Sequence, residues 1–584
     1  EFYVAEALPK VLEQVVQCKD VMAQQYLLDS VIQVFPDEFH LHTLDQILTA
    51  CTQTVPNVDL KHVMCRLMER LTNFVQQNPE AVPDSVDIFG MFRSHLQTIL
   101  ERPFQQQAGA PPADLAPLLG LQYEFLNFTL TLYEGYLDYV DGILESTVQL
   151  LTKVLGDPDV GSANQLNDPA AVDTVVTLLS TPLKSLGWQI LDMQHYVTLM
   201  SFLNIGTRKK VAVSMVDAVL ESDNVMEDSA QLAKFFSFIQ PLMKDTDDHA
   251  GEDLVHDKDF IREQQQVAKL VHLIQSDDTD VVYKCLETAR KLFGDGGDAR
   301  MAHTLVAVVN RALELVPLIQ AREVAVEAGE DVAPAQVTVK RVFGFIHKTL
   351  SDGLQGANPD ACLRLWLSAA VAADACDQNP DLECQGIYEP ICYEFLTQAL
   401  ITFEEDITDS RAQAQGITVM VGTVCGLTCL EEENYNNIGT KITQHGAKLL
   451  KKPDQCRAVC TCSHLFWSSK EEGVREGRRV LECLQKCLKI ADNCIQSSTS
   501  HVGLFVDVLD KYLYFFGSGC EEISVQFIQS LLTLCAEHVK FSDADTTEEA
   551  RRAFKNTVRY VKRKIQDQDP RYEGLKLEEV EGLS

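Results

Sequence analysis

An all-α chain, folded as a curved solenoid of stacked helical hairpins, is what this sequence predicts, and three observations carry the expectation. Apolar residues recur with helical period over most of its length, alternating strands are nearly absent, and the breaks between periodic segments are short. In Lys61–Gln77, Val63, Leu67, Leu71, Phe74 and Val75 form one stripe, with Lys61, Arg66, Glu69 and Arg70 largely off it. The same signature recurs in Tyr139–Leu155, Ile261–Gln275, Thr279–Phe293, Arg341–Leu354, Glu471–Gln496, Gly503–Phe516 and Ile523–Val539. Val211–Met215 is apolar throughout, but its surroundings are helical. Ile417–Leu430, the longest strongly apolar stretch, is broken by Thr and Gly and is too short for ~30 Å of hydrocarbon, so it reads as a buried core helix.

The breaks have the chemistry of helix ends. Ser276-Asp-Asp-Thr-Asp280 offers caps to the helix that follows. Gly294-Asp-Gly-Gly297 stops a helix with residues that tolerate positive φ, and Asn358-Pro-Asp360 reads as a cap with proline in the first turn. Tight turns between many helices mean antiparallel hairpins, and the lack of a strict repeat motif suits degenerate, HEAT-like repeats. Four stretches read as loops: Arg102–Pro112, Gly156–Pro169, Asp245–Asp259 and Ala321–Ala335. The third is acidic and poor in bulky apolar groups, which predicts disorder and an internal boundary. The expected organisation is a first solenoid part over 1–244, the acidic loop 245–259, a C-terminal solenoid over 260–566 and a mobile acidic tail over 567–584.

Composition narrows the function. Hydrophobic content of 46% is that of a folded chain, whereas a net charge of −35 opposes nucleic-acid binding and broad adhesion to anionic lipid. The 18 cysteines fall within apolar helical patterns, as at Cys65, Cys285, Cys362, Cys483 and Cys487, which points to reduced, buried thiols. No signal peptide opens the chain, and Glu1 suggests a fragment. There is no phosphate loop, Gly-x-Ser-x-Gly elbow, His-Glu-x-x-His or dinucleotide fingerprint, so neither catalysis nor a cofactor is expected. Cys456, Cys460 and His464 are spaced four residues apart, which invites zinc. On one continuous helix the outer two stand ~12 Å apart, too far to share a tetrahedral ion. That stripe is expected to be an apolar or interface face.

The block Ala447-Lys-Leu-Leu-Lys-Lys-Pro-Asp-Gln-Cys-Arg-Ala-Val-Cys-Thr-Cys-Ser-His-Leu-Phe-Trp467 is the most informative. It predicts a basic helix end at Lys448, Lys451 and Lys452, then a helix opened by Pro453 that carries His464, Phe466 and Trp467. With Gln14–Asp20, Val31–Leu41, Ala289–Gly297, Glu405–Gln413 and Tyr572–Leu575, in that order along the chain, it resembles the large scaffold subunit of retromer, the vacuolar protein sorting thirty-five family. The likeness covers essentially the whole chain and the C-terminal portion of the family. It implies a peripheral scaffold on the cytosolic face of endosomes, retrieving transmembrane cargo toward the Golgi or plasma membrane. The implied partners are the small metallophosphoesterase-like retromer subunit, a second copy, sorting nexins and the WASH machinery. The family's Pro-Arg-Leu-Tyr-Leu motif for the arrestin-like subunit does not occur here.

Carried over by position, the resemblance places a homodimer contact at Glu404, Glu405 and Asp406 against Lys448, Lys451 and Lys452. The plainer alternative is two solvated charge clusters, which contribute little energy. A two-fold axis would satisfy both pairings at once. His464 and Leu313 fall at the small-subunit surface, although Asn310 and Pro317 stand where the family pattern has aromatics. Asp37-Glu38-Phe39-His40 also matches the family, but turn chemistry after Pro36 accounts for it. Two rivals remain open: a nuclear transport receptor-like solenoid binding basic cargo, and an enzyme with a thiol nucleophile.

Overall fold

The computed structural model describes residues 6–55, 58–82, 86–102, 114–156, 165–221, 225–244, 257–468, 473–541, 547–577 and 580. Among these, the regular elements are helices, with three isolated bridge pairs and no strand. The chain forms two compact units. The first comprises Glu1–Asp277 and Glu287–Arg300, the second Asp278–Leu286 and Met301–Ser584. Residues 260–277 therefore belong to the first unit, and the division falls after the acidic stretch.

In the first unit, α1 (Leu60–Gln77), α2 (Leu115–Leu132), α3 (Pro169–Leu186) and α4 (Ile205–Glu221) pack in succession. The Asp59 carboxylate accepts from the His62 amide and fixes the start of α1. Val63, Leu67 and Leu71 of the expected stripe are buried, while Phe74 and Val75 are only half-buried where α1 ends. Val211–Met215 lies within α4. The segment after Pro36 is a short helix, Asp37–His42, whose buried His40 Nε2 lies 3.0 Å from the Ile32 carbonyl.

Two further helices, α5 (Thr279–Gly294) and α6 (Asp298–Glu327), are divided between the units. The turn between them needs its glycines. Gly297 has φ +81°, and a Cβ on Gly296 would come within 2.6 Å of the Met243 carbonyl. The second unit continues with α7 (Val339–Thr349), α8 (Pro359–Asp377), α9 (Glu389–Glu405) and α10 (Ser410–Gly426). Then follow α11 (Glu432–Gly446), α12 (Lys452–Cys462), α13 (Gly477–Ser497), α14 (Gly503–Gly517), α15 (Val525–Phe541) and α16 (Glu548–Gln566). Neighbours α8/α9, α10/α11, α12/α13 and α14/α15 pack as pairs, and α8, α10, α12, α14 and α16 also pack in succession as one layer. Each pair closes its apolar face on the next, as stacked repeats do. Trp366, fully buried, packs on His347 and Phe395.

Several boundaries differ from expectation. Ala321–Ala335 is not all loop. Helix α6 runs on to Glu327, held where buried Gln320 donates to the Cys376 carbonyl and Arg322 to Asp278 and the Ala333 carbonyl. It is the longest apolar helix of the chain, long enough to cross a bilayer, but half of its most apolar window is buried in the protein, so it is a core helix. The segment expected to start at Glu471 becomes helical at Gly477. The described part of the tail, through Lys576, is docked: Tyr572 is buried against Phe516, Arg571 donates to the Gly517 carbonyl, and Gln529 pairs with the Lys576 backbone in both directions. Residues 103–112, 157–164 and 245–256 of the expected loops lie outside the described residues, while Lys258 already opens a helix capped by Asp257.

Candidate functional site

The 447–467 block builds two different surfaces. Helix α11 ends at Gly446, so Lys448 lies in a turn, Lys451 caps α12 and Lys452 is its first residue. The expected basic helix end is thus the beginning of the next helix. The reason is local: Gly446 packs against Cys462 and Ala458, and Pro453 fits only a first turn. All three lysines are exposed, and between them Leu450 is 83% exposed while Leu449 is buried.

The acidic trio ends α9. Glu404 and Glu405 are exposed, but Asp406 is half-buried and accepts from Gln355 Nε2 at 2.8 Å. Asp406 is therefore committed within the chain, a departure from the expectation that all three acids face outward. His445, on α11, joins the two clusters. Its Nε2 lies 4.0 Å from Glu404 Oε2, and burial, with Lys448 and Lys441 nearby, holds the imidazole below its usual pKa. Acidic and basic patches thus stand side by side on one chain. Glu404 and Glu405 at a helix C-terminus and Lys451 and Lys452 at a helix N-terminus oppose the helix dipole, whereas Lys448, just past the end of α11, complements it. Helix electrostatics does not account for the opposed four.

His464 lies beyond α12, on the 3₁₀ turn Ser463–Phe466. Lys511 Nζ donates to its Nε2 at 2.8 Å, which places the ring proton on Nδ1, and Tyr514 and Phe515 of α14 pack on the ring. Burial and the Lys511 charge bring its pKa down to about 4, so the imidazole is neutral at pH 7. Tyr514 is 43% exposed, so the half-buried His464 lies beside an open aromatic. Arg457 of α12 and Asp507 of α14 pair at 3.2 Å on the same layer. Phe466 and Trp467 are core, each under a guanidinium, Arg479 at 3.8 Å and Arg475 at 4.9 Å. Leu313 is half-buried on α6, six helices earlier.

The cysteine stripe is core instead of interface. Cys456 and Cys460 are buried, and Cys456 and Cys487 each donate S–H to the other's carbonyl across the α12–α13 pair. His464 Nε2 is engaged by Lys511, and no cluster of metal-binding geometry occurs among the described residues. Burial pushes the Cys362 and Cys462 thiols up to about 12 and Cys483 to about 11, whereas Cys456 is shifted down by its hydrogen bonds with Cys460 and Cys487 but lies buried in the α12–α13 seam, out of reach of a substrate. Of the cysteines expected inside, Cys65 is only half-buried. Leu450, His445, Lys511 and Tyr514 went unmarked in the sequence; the one available signal was a second leucine in a turn that has room to bury one.

The family model for Vacuolar protein sorting-associated protein 35 matches residues 1–538. Vacuolar protein sorting-associated protein 35B of Arabidopsis thaliana is 35% identical over 96% of this chain and 68% of its own length. The 35A protein of the same plant is 34% identical, over 99% of this chain and 71% of its own. Vacuolar protein sorting-associated protein 35 of Dictyostelium discoideum is 30% identical, over 98% and 69%. Among solved structures, a circular tandem repeat protein covers 95% of this chain at TM-score 0.25 and 10% identity, too slight a likeness to argue from. An array of helical hairpins with this sequence kinship belongs to the Vacuolar protein sorting-associated protein 35 family.

Proposed function

We propose that this chain is the large scaffold subunit of a retromer coat, a non-enzymatic organiser of endosomal sorting that retrieves transmembrane cargo. One observation carries the reading most directly: the turn 447–452 exposes Leu450 between lysines, beside the acidic end of α9, with Glu404, Glu405, Lys451 and Lys452 all opposed to their helix dipoles. An isologous contact between two copies would set Glu404 and Glu405 of each against Lys448, Lys451 and Lys452 of the other and cover Leu450. The second surface, His464 with Lys511 and Tyr514, and Leu313 further along the array, is where the small metallophosphoesterase-like subunit would dock. Sorting nexins would supply the main membrane contact, the WASH machinery would add actin regulation, and the arrestin-like subunit would bind sequence outside this chain.

Light scattering of the chain alone and with the small subunit tests this. A one-to-one complex that H464R weakens is the expected result. Absence of any complex would leave a sorting-family helical array and bring forward the transport-receptor reading, which a pull-down with a GTP-loaded GTPase would then test.

A further inference from the structure

Helix α16 reverses the charge of the molecule. Between Ala550 and Gln566 it holds Arg551, Arg552, Lys555, Arg559, Lys562, Arg563 and Lys564 and no acidic residue, in a chain of net charge −35. Arg552, Lys555, Arg559 and Arg563 recur at spacings of three and four, so they form one row, ~16 Å long at the helical rise. All four are exposed; the opposite side buries Phe554, Val558 and Val561 against the array. Arg563 stays 83% exposed with Asp567 at 3.9 Å, and Arg559 donates to Asn556. Glu548 and Glu549, in the first turn, lie four and three residues before Arg552 and adjoin the start of the row.

The row does not stabilise the helix, because neighbouring cations three and four residues apart repel. The row itself holds no apolar side chain, whereas a protein interface has an apolar and aromatic centre in which arginine, but not lysine, is enriched. An extended anionic surface asks for neither pocket nor apolar centre, only aligned cations. Phe541, which ends α15 seven residues before α16 begins, is 81% exposed, and Tyr560 on the flank is 44% exposed. A run of four exposed cations along one side of an amphipathic helix suits the headgroup layer of an anionic membrane. The acidic remainder of the molecule does not forbid this, since charges more than about 8–10 Å away are screened at physiological salt.

We infer that the outer face of α16 is an electrostatic binding site for anionic lipid headgroups, adsorbing to the membrane surface without insertion. It lies beyond the residues matched by the family model and is independent of the scaffold reading.

Co-sedimentation of the full chain with phosphatidylcholine vesicles, with and without phosphatidylserine, tests it at low and at physiological ionic strength. Binding should require phosphatidylserine, fall with salt, and drop about tenfold or more in R552E/K555E/R559E/R563E. Circular dichroism of that variant should be unchanged, and R552Q/K555Q/R559Q/R563Q should lose binding in the same direction. Reversal of Lys486 and Lys489, exposed on α13, should leave vesicle binding intact. Binding unaffected by the α16 substitutions, equal loss on reversing the other lysines, or no binding at low salt would overturn the assignment. Capture of a polyglutamate peptide with no vesicle binding would overturn it in favour of an acidic protein partner.

Discussion

Two halves of one twenty-one-residue block, Ala447–Trp467, behave oppositely. From Ala447 to Lys452 the chain exposes Leu450 and three lysines; from Gln455 to Trp467 it buries Cys456, Cys460, Leu465, Phe466 and Trp467. The two halves are equally distinctive as sequence, but only the second is explained by folding. It carries the apolar seam on which α12 meets α13, so its residues answer to packing. The first half turns against the local energetics: an apolar side chain in water and cations at a helix N-terminus. Residues that the fold does not need are the ones left for a partner.

The contrast can be broken most forcefully on the packed side. Phe466→Ala removes a buried ring and the support beneath Arg479, and should cost about 3–5 kcal/mol in chemical denaturation. Leu450→Ser should leave stability within about 0.5 kcal/mol, because that side chain has little packing to lose. Self-association, followed by sedimentation velocity, should nevertheless weaken in L450S. A stability loss there comparable with F466A would erase the distinction between the halves.

The acidic cluster sharpens the same comparison at a smaller scale. Asp406→Ala should cost about 1 kcal/mol, since it strips Gln355 of its acceptor, and Glu404→Ala should be close to neutral in thermal melts. The order should invert for self-association, where Glu404 matters and Asp406 does not. Equal effects of the two on both readouts would mean that the trio acts as a unit.

The smallest expected effect is on pH. His464 has its pKa lowered in the folded chain, to about 4 from 6.5, so between those values the unfolded chain binds more protons. Stability from this group is therefore complete above about pH 6.5 and declines as pH falls toward 4. The residue is partly exposed, so the contribution should be about 1 kcal/mol after screening by solvent. H464Q should flatten that part of the stability profile; an unchanged slope would assign it to other groups.

Much of the fold was legible because helical periodicity is a strong signal in repeats that bury one face each. Thr279 and Gly503 open helices where the periodicity placed them, and the Asn358–Pro359 start was fixed by a cap and proline, with the Asn358 side chain accepting from the Ala361 amide. Where the sequence misled, long-range partners were responsible. Helix α6 extends to Glu327 because Gln320 and Arg322 find acceptors up to fifty-six residues away, and the acidic tail docks because Tyr572 fits beside Phe516. The surface was less legible than the core. That His464 would meet Lys511, or that Asp406 would turn inward to Gln355, depends on contacts no local pattern encodes.

The most direct test of the account is a mixing experiment with two oppositely charged variants, E404K/E405K and K448E/K451E/K452E, read as mass by light scattering. Each variant alone should be monomeric at concentrations where the parent chain dimerises, and an equimolar mixture should recover the mass of a two-chain complex, because each altered patch then meets its complement. A mixture that stays monomeric while both variants remain folded, or a single variant that still dimerises, would contradict it.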